Sequence, residues 1–257
     1  MPMELNHRQL KLRALGVMGT STPKATHVGA VYLLLSVLVS TLSMRLVGIN
    51  LTNEDLMTYT QYVMEGNFDY ALAFLGSLEQ PSAASYLIDL LLQVCMWIVG
   101  AGFILFLLNS IRKAAPSFGN LLDGFGFFWR VIALNILESI FIGLWSMLLF
   151  FPGIIAAYRY RMAIYLLIDN PEMKVMECLR QSKKLMKGRK WDLFVLDISF
   201  IGWELLGTLP IIGYLVRFFT LPYISMTKAL YYEQAGGRGI APGPEGDANT
   251  GFIPPPV

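Results

Sequence analysis

Residues 90–111 run for 22 positions without an Asp, Glu, Lys or Arg, and residues 25–44 do the same for 20. About 20 apolar residues at 1.5 Å rise cover the ~30 Å hydrocarbon core of a bilayer. Inside lipid each backbone N–H and C=O needs a partner within its own segment, so such runs are helices. Composition points the same way. The chain is 55% hydrophobic and 15% charged, with a mean hydropathy of +0.53. A soluble domain carries about 25% charged residues, and the missing charge is what would coat a water-facing surface.

We predict an all-α, polytopic membrane protein with six transmembrane helices set as three hairpins. The spans are 28–44, 83–108, 127–151, 153–168, 193–209 and 211–232. The fourth and fifth are short and carry charges. No cleavage pattern follows the first apolar run, so it is expected to stay as a spanning helix. Cations fix the orientation. Arg8, Lys11, Arg13 and Lys24 lie in the N-terminal arm, Arg112 and Lys113 in the 109–126 link. Lys174, Arg180, Lys183, Lys184, Lys187, Arg189 and Lys190 lie in the 169–190 link. Residues 46–81 hold no Lys or Arg, but do hold Glu54, Asp55, Glu65, Asp69 and Glu79. Short loops rich in Lys and Arg stay on the cytoplasmic side. Six spans with both termini in the cytoplasm put every basic link on that side of the cell membrane.

The expected organisation is a cytoplasmic amphipathic arm (1–27), a transmembrane domain (28–234) and a Gly/Pro-rich tail (235–257). The tail cannot bury a core and is expected to be disordered. A basic amphipathic stretch precedes each hairpin, at 7–18, 111–125 and 172–187. In the third, Val175, Met176, Cys178, Leu179, Ser182, Leu185 and Met186 share one helical face. Lys174, Glu177, Arg180, Gln181, Lys184 and Lys187 share the other. Such helices are expected to lie in the inner headgroup layer, apolar side down. In the outer loop, residues 67–78 read as a short surface helix.

Between residues 160 and 232 the motifs become specific. Tyr160-Arg161-Met162-Ala163 leads into Asp169-Asn170-Pro171, followed by Ser182, Met186-Lys187-Gly188, the 196–203 run ending in Gly202-Trp203, and Leu221-Pro222-Tyr223. This order resembles a bacterial integral-membrane family catalogued as domain of unknown function 975. The resemblance implies six helices in the bacterial cytoplasmic membrane and no established activity. Arg161 stands where a small polar residue is usual. The Gly-x-Gly expected in the last hairpin is Ile211-Ile212-Gly213, after Pro210.

Ionisable groups within the spans are the natural site candidates, because each costs at least ~2.5–3.5 kcal/mol at mid-depth on insertion scales. They are Asp89, Glu138, Arg159, Arg161, Asp197, Glu204 and Arg217. Glu204 and Arg217 come out level across the last hairpin, so an ion pair is expected. Asp89 or Glu138 is expected to neutralise the two arginines. A polar pocket or solute path, or simple glue between hairpins, would both use such residues.

A second set, Lys183, Lys184, Lys187, Arg189, Lys190 and Trp191, suits anionic lipid headgroups at about 1 kcal/mol per basic residue. It equally suits plain positive-inside anchoring with an interfacial Trp. Ser199 and Gly202 are small residues three apart that allow close helix approach, with Trp203 as a wedge. Pro222 is expected to kink the last span. The motif search finds no H-E-x-x-H, G-x-S-x-G or Walker loop. Asp197 and Glu204 share a helix face, but no nucleophile accompanies them. His7, His27, Cys95 and Cys178 cannot assemble a metal cage, and no cofactor is expected. The basic residues flank spans as topology demands, so nucleic acid is not an expected partner. The first expectation is a non-enzymatic membrane component that binds lipids or a membrane-protein partner in the cell envelope. The alternative is a small-solute transporter or channel built on the buried charges.

Overall fold

The computed structural model describes residues 7–48, 53–78, 81–148, 150–209 and 212–236. Residues 210–211, within the predicted last hairpin, and residues 237 onward of the predicted tail lie outside them. Among the described residues every regular element is helical. In chain order they are α1 (His7–Thr20), α2 (Ala25–Val47), α3 (Asn53–Met64), α4 (Phe68–Ser77), α5 (Ala83–Arg112) and α6 (Asn120–Asp123). A 3-10 turn, Gly124–Phe127, leads into α7 (Phe128–Leu148), α8 (Phe150–Tyr160) and α9 (Ala163–Asp169). The last four are α10 (Val175–Leu185), α11 (Lys190–Ile198), α12 (Ile201–Leu206) and α13 (Ile212–Gln234).

Three of these segments are long and apolar enough to cross a membrane: α2, α5 and the stretch from α6 through α7, Asn120–Met147. Six were predicted; by length and composition three of them are seen as single helices, and the other three predicted crossings are broken or too polar to register that way. The fourth predicted span breaks at residues 161–162, between α8 and α9. The fifth breaks at residues 199–200, between α11 and α12. A hydropathy window registers composition and not whether the backbone stays helical. α13 is unbroken over 23 residues, but Arg217, Lys228 and Glu233 lower its apolarity.

The chain divides into two compact units. One is residues 34–96. It holds the hairpin of α3 and α4, closed through Gly66 at φ +74° and by Tyr62 against Tyr70 and Phe74. α4 matches the predicted surface helix. In the same unit Gln93 Nε2 donates to Ser43 Oγ at 3.1 Å, tying α5 to α2.

The other unit combines residues 1–33 with 97–257. Its helices meet where side chains are smallest. A Cβ on Gly124 would sit 2.1 Å from the Ile98 carbonyl oxygen, and one on Gly102 would sit 2.3 Å from that of Leu121. The chain after α5 therefore turns back against α5 backbone to backbone. The predicted amphipathic helix at 111–125 does not form, because this link is spent on the tight return. α7 and α8 make an antiparallel hairpin, with Gly153 against Ser146 and Phe141 stacked on Tyr160 at 5.8 Å. Pro222 lies inside α13, and its ring fills the space over Gly29 of α2, where a Cβ would be 2.9 Å away. Its visible role is this packing.

α1 buries Leu10, Ala14 and Met18, one face at i, i+4, i+8, along α13. α10 buries Cys178, Leu179 and Ser182 against α7, α8 and α9. The predicted interfacial placement, apolar side on lipid, does not hold for most of α10's apolar face: Cys178, Leu179, Ser182 and Met186 are covered by protein, and Met176 is left exposed. Burial pushes the Cys178 thiol up to about 11, so it stays protonated at neutral pH.

The fully covered residues cluster at one end of each long helix, as with Phe106, Leu107 and Leu108 of α5 and Ala229–Tyr232 of α13. Further along, Ile136, Ile140, Leu144 and Met147 of α7 and Ile212, Leu215 and Phe219 of α13 stand uncovered. In water this much contiguous apolar surface is unfavourable, whereas lipid tails solvate it without penalty.

Candidate functional site

Some of the charges predicted inside the spans gather near the two helix breaks. Asp197 of α11 lies 3.1 Å from Lys228 Nζ of α13 through its Oδ1. Its Oδ2 accepts a hydrogen bond from the Tyr158 hydroxyl of α8 at 3.0 Å. Arg161, in the break between α8 and α9, acts electrostatically on Glu138 of α7, on Tyr158, on Tyr165 of α9 and on Lys228. Glu204 of α12 also falls within range of Lys228. Three of the predicted residues, Glu138, Arg161 and Asp197, therefore belong to one cluster. Lys228 and Tyr158 complete it. Both sit in predicted spans, and Lys228 is a charge the inventory of intramembrane groups passed over.

The break itself is held open by one hydroxyl. Ser182 of α10 is wholly buried. Its Oγ donates to the Arg159 carbonyl at 2.9 Å and accepts the Met162 N–H at 3.2 Å. Interrupting a helix frees a donor and an acceptor, and in an apolar interior they need partners. Ser182 supplies both, which gives a physical meaning to its place among the motif residues.

The remaining predictions resolve differently. Arg159 places its guanidinium 5.8 Å from the Trp145 ring centre. Glu204 and Arg217 are both exposed, and the expected ion pair between them is not formed. Arg217 instead lies along Gly207, its Nε 3.2 Å from where a Cβ would be. Asp89 belongs to the other unit, where its Oδ1 accepts from Gln93 at 3.5 Å. Gly202 has open space around it, and Ser199 and Trp203 are exposed, so the close helix approach expected at this trio is not seen among the described residues.

Along the basic run the residues separate into two kinds. Lys183, Lys184, Lys187 and Lys190 make no ion pair among the described residues, and the first three are exposed. Trp191 is 73% exposed, with its ring 5.0 Å from that of Phe194. Arg189 is structural: its Nη1 donates to the Ala235 carbonyl, and its own carbonyl accepts the Tyr231 hydroxyl at 3.2 Å. Nearby, His7 Nε2 lies 2.6 Å from Asp192 Oδ1, and Lys11 sits 4.4 Å over the Phe200 ring. These contacts fasten α1 to α11 and to the break that follows it.

A second buried network was not foreseen. Arg112, the last residue of α5, donates through both Nη atoms to Asp169 and through Nε to Glu233 Oε1 at 2.5 Å. Tyr232 donates to Asp169 Oδ2 at 3.0 Å. The three charged side chains are only 12–18% exposed. Arg130 similarly caps the end of α9 through the carbonyls of Asn170, Pro171 and Met173. The sequence signal was the Asp169-Asn170-Pro171 motif, but its partners lie 40 and more residues away in the chain.

Residues 147–238 match the model of a family described as protein of unknown function (DUF975). That segment runs from the end of α7 through α13, and so contains both helix breaks, Asp197, Lys228 and the basic run. No curated protein and no solved structure matches the chain.

Proposed function

We propose that this chain, similar to DUF975 over residues 147–238, is a multi-pass component of the bacterial cytoplasmic membrane that binds anionic lipid and performs no chemistry of its own. Both termini lie in the cytoplasm on this reading. One observation carries it. Lys183, Lys184, Lys187 and Lys190 have no carboxylate partner among the described residues, although the buried cations Arg112 and Lys228 do. The free set stands beside an uncovered Trp191, the pairing of positive charge and amphipathic ring that suits a headgroup layer.

Replacing these four lysines by glutamine is expected to weaken phosphatidylglycerol binding about fivefold per charge, from ~1 kcal/mol each. Binding to phosphatidylcholine should not change. The measurement is lipid retention by the purified full chain in mild detergent. Equal retention of both lipids by the wild type would defeat the reading.

A transport reading has one specific support: two interrupted helical segments, α8–α9 and α11–α12, meet where the Tyr158 hydroxyl donates to Asp197, as discontinuous helices do around solutes in transporters. Solute flux through proteoliposomes that is lost in Asp197→Asn would favour it.

A further inference from the structure

α3 has three distinct faces. Tyr62 packs against Tyr70 and Phe74, so one face is turned to α4. Glu54, Thr58, Gln61 and Glu65 share a second, where Gln61 Nε2 donates to Glu65 Oε1 at 2.9 Å. Leu56, Met57, Thr60, Val63 and Met64 share the third, at i, i+1, i+4, i+7 and i+8. The four apolar side chains of this stripe are uncovered, Met57 to 73% and Met64 to 84%. The one hydroxyl in it is folded back: Thr60 Oγ1 donates to the Leu56 carbonyl at 2.7 Å. α4 adds Phe68 and Leu72, one turn apart and both exposed.

The place of the hairpin in the chain says what meets this stripe. Residues 48–52 and 78–82 alone join it to α2 and α5. Links of that length reach at most about 20 Å, so the hairpin stays beside the ends of two helices long and apolar enough to cross a membrane. In the same unit Leu38 and Leu42 of α2 and Leu87 and Leu91 of α5 are also uncovered. An apolar stripe held this close to lipid is unfavourable in water and favourable at the boundary of headgroups and acyl chains. Charge then selects the lipid. Residues 46–81 hold five carboxylates and no Lys or Arg. Anionic headgroups repel such a segment, and zwitterionic ones do not.

We propose that the α3–α4 hairpin docks on the outer surface of the bilayer, with the α3 stripe seated in zwitterionic lipid and Glu54 and Glu65 turned to water. This inference rests on the membrane reading above. It is separate from the anionic-lipid contact of the lysine run and has the opposite headgroup preference.

The test places single cysteines at residues 54 to 65 in turn, with Cys95 and Cys178 replaced by alanine. Each carries a nitroxide label in the full chain, reconstituted in phosphatidylcholine vesicles. The readout is collision with oxygen, which concentrates in lipid, against collision with a water-soluble nickel chelate. The oxygen-to-nickel ratio is expected to follow the helical period, several-fold higher at 57, 60 and 64 than at 54, 58, 61 and 65. Nickel access to the stripe equal to that of the polar face overturns the docking. Shielding of the stripe from both reagents means that a second copy covers it, and overturns the docking as well. In phosphatidylglycerol vesicles the contrast should shrink, and an unchanged or larger contrast overturns the choice of lipid. Labels at Leu38 and Leu91 separate this result from the membrane reading. Oxygen-rich values there beside a nickel-accessible stripe leave that reading standing, and nickel access at both removes it too. Should the labelled variants fail to fold, hydroxyl-radical oxidation of Met57 and Met64 in the unlabelled chain decides. The fold alone leaves both open. Sulfoxide formation several-fold slower in vesicles than in the denatured chain supports the docking, and equal rates overturn it.

Discussion

Arg112→Leu is expected to destabilise the protein by about 3–5 kcal/mol, the usual cost of removing one member of a buried ionic network. The leucine fits the space, so the loss is electrostatic. Asp169 and Glu233 would face each other nearly buried with no cation between them. Thermal unfolding in detergent should show a large drop in midpoint for Arg112→Leu. Neutralising the orphaned groups, in Arg112→Leu/Asp169→Asn/Glu233→Gln, should restore much of it. Arg112→Lys should recover little, because one ammonium cannot reproduce a fork that reaches two carboxylates at once. Wild-type melting of Arg112→Leu would mean that these contacts do not hold the ends of α5, α9 and α13 together.

The second large effect is expected at Ser182. Valine there removes the hydroxyl and has the shape of threonine, one methyl group larger than serine. The Arg159 carbonyl and the Met162 N–H would both be left without a partner at a wholly buried position. Each unsatisfied group costs about 1–3 kcal/mol, so Ser182→Val should lose roughly 2–6 kcal/mol. Ser182→Thr keeps the hydroxyl and adds a methyl group, so it should lose less. If valine and threonine behave alike, crowding and not the hydrogen bonds dominates at this position, and the account of the helix break fails.

Much of the architecture was legible from residue pattern. The long charge-free runs became α2 and α5, and α4 formed in the partly apolar stretch 67–78 that reads as a short helix. α10 formed, though later than expected: residues 170–173 are taken up by the turn that Arg130 caps. What the pattern could not carry was continuity. Residues 153–168 and 193–209 are apolar enough to read as helices throughout. The first break is partnered by Ser182, a contact between distant segments. The same limit applies to the site. The spacing of Glu204 and Arg217 suggested a pair, but the close approach of Gly213 to the Gly207 carbonyl sets their hairpin, and Arg217 lies along Gly207 instead. Arg112, Asp169 and Glu233 each looked like an ordinary charge at the edge of a span until the fold brought them together.

The central claim is that the acidic 46–81 segment and the basic 169–190 segment lie on opposite sides of a membrane. Single cysteines at Glu65 and Lys184, both exposed, in a chain with Cys95 and Cys178 replaced by alanine, can be probed with a membrane-impermeant maleimide on intact and opened cells. Residue 65 should react from outside in intact cells, and residue 184 only after the membrane is opened. Reaction of both in intact cells, or of neither until opening, would contradict the claim.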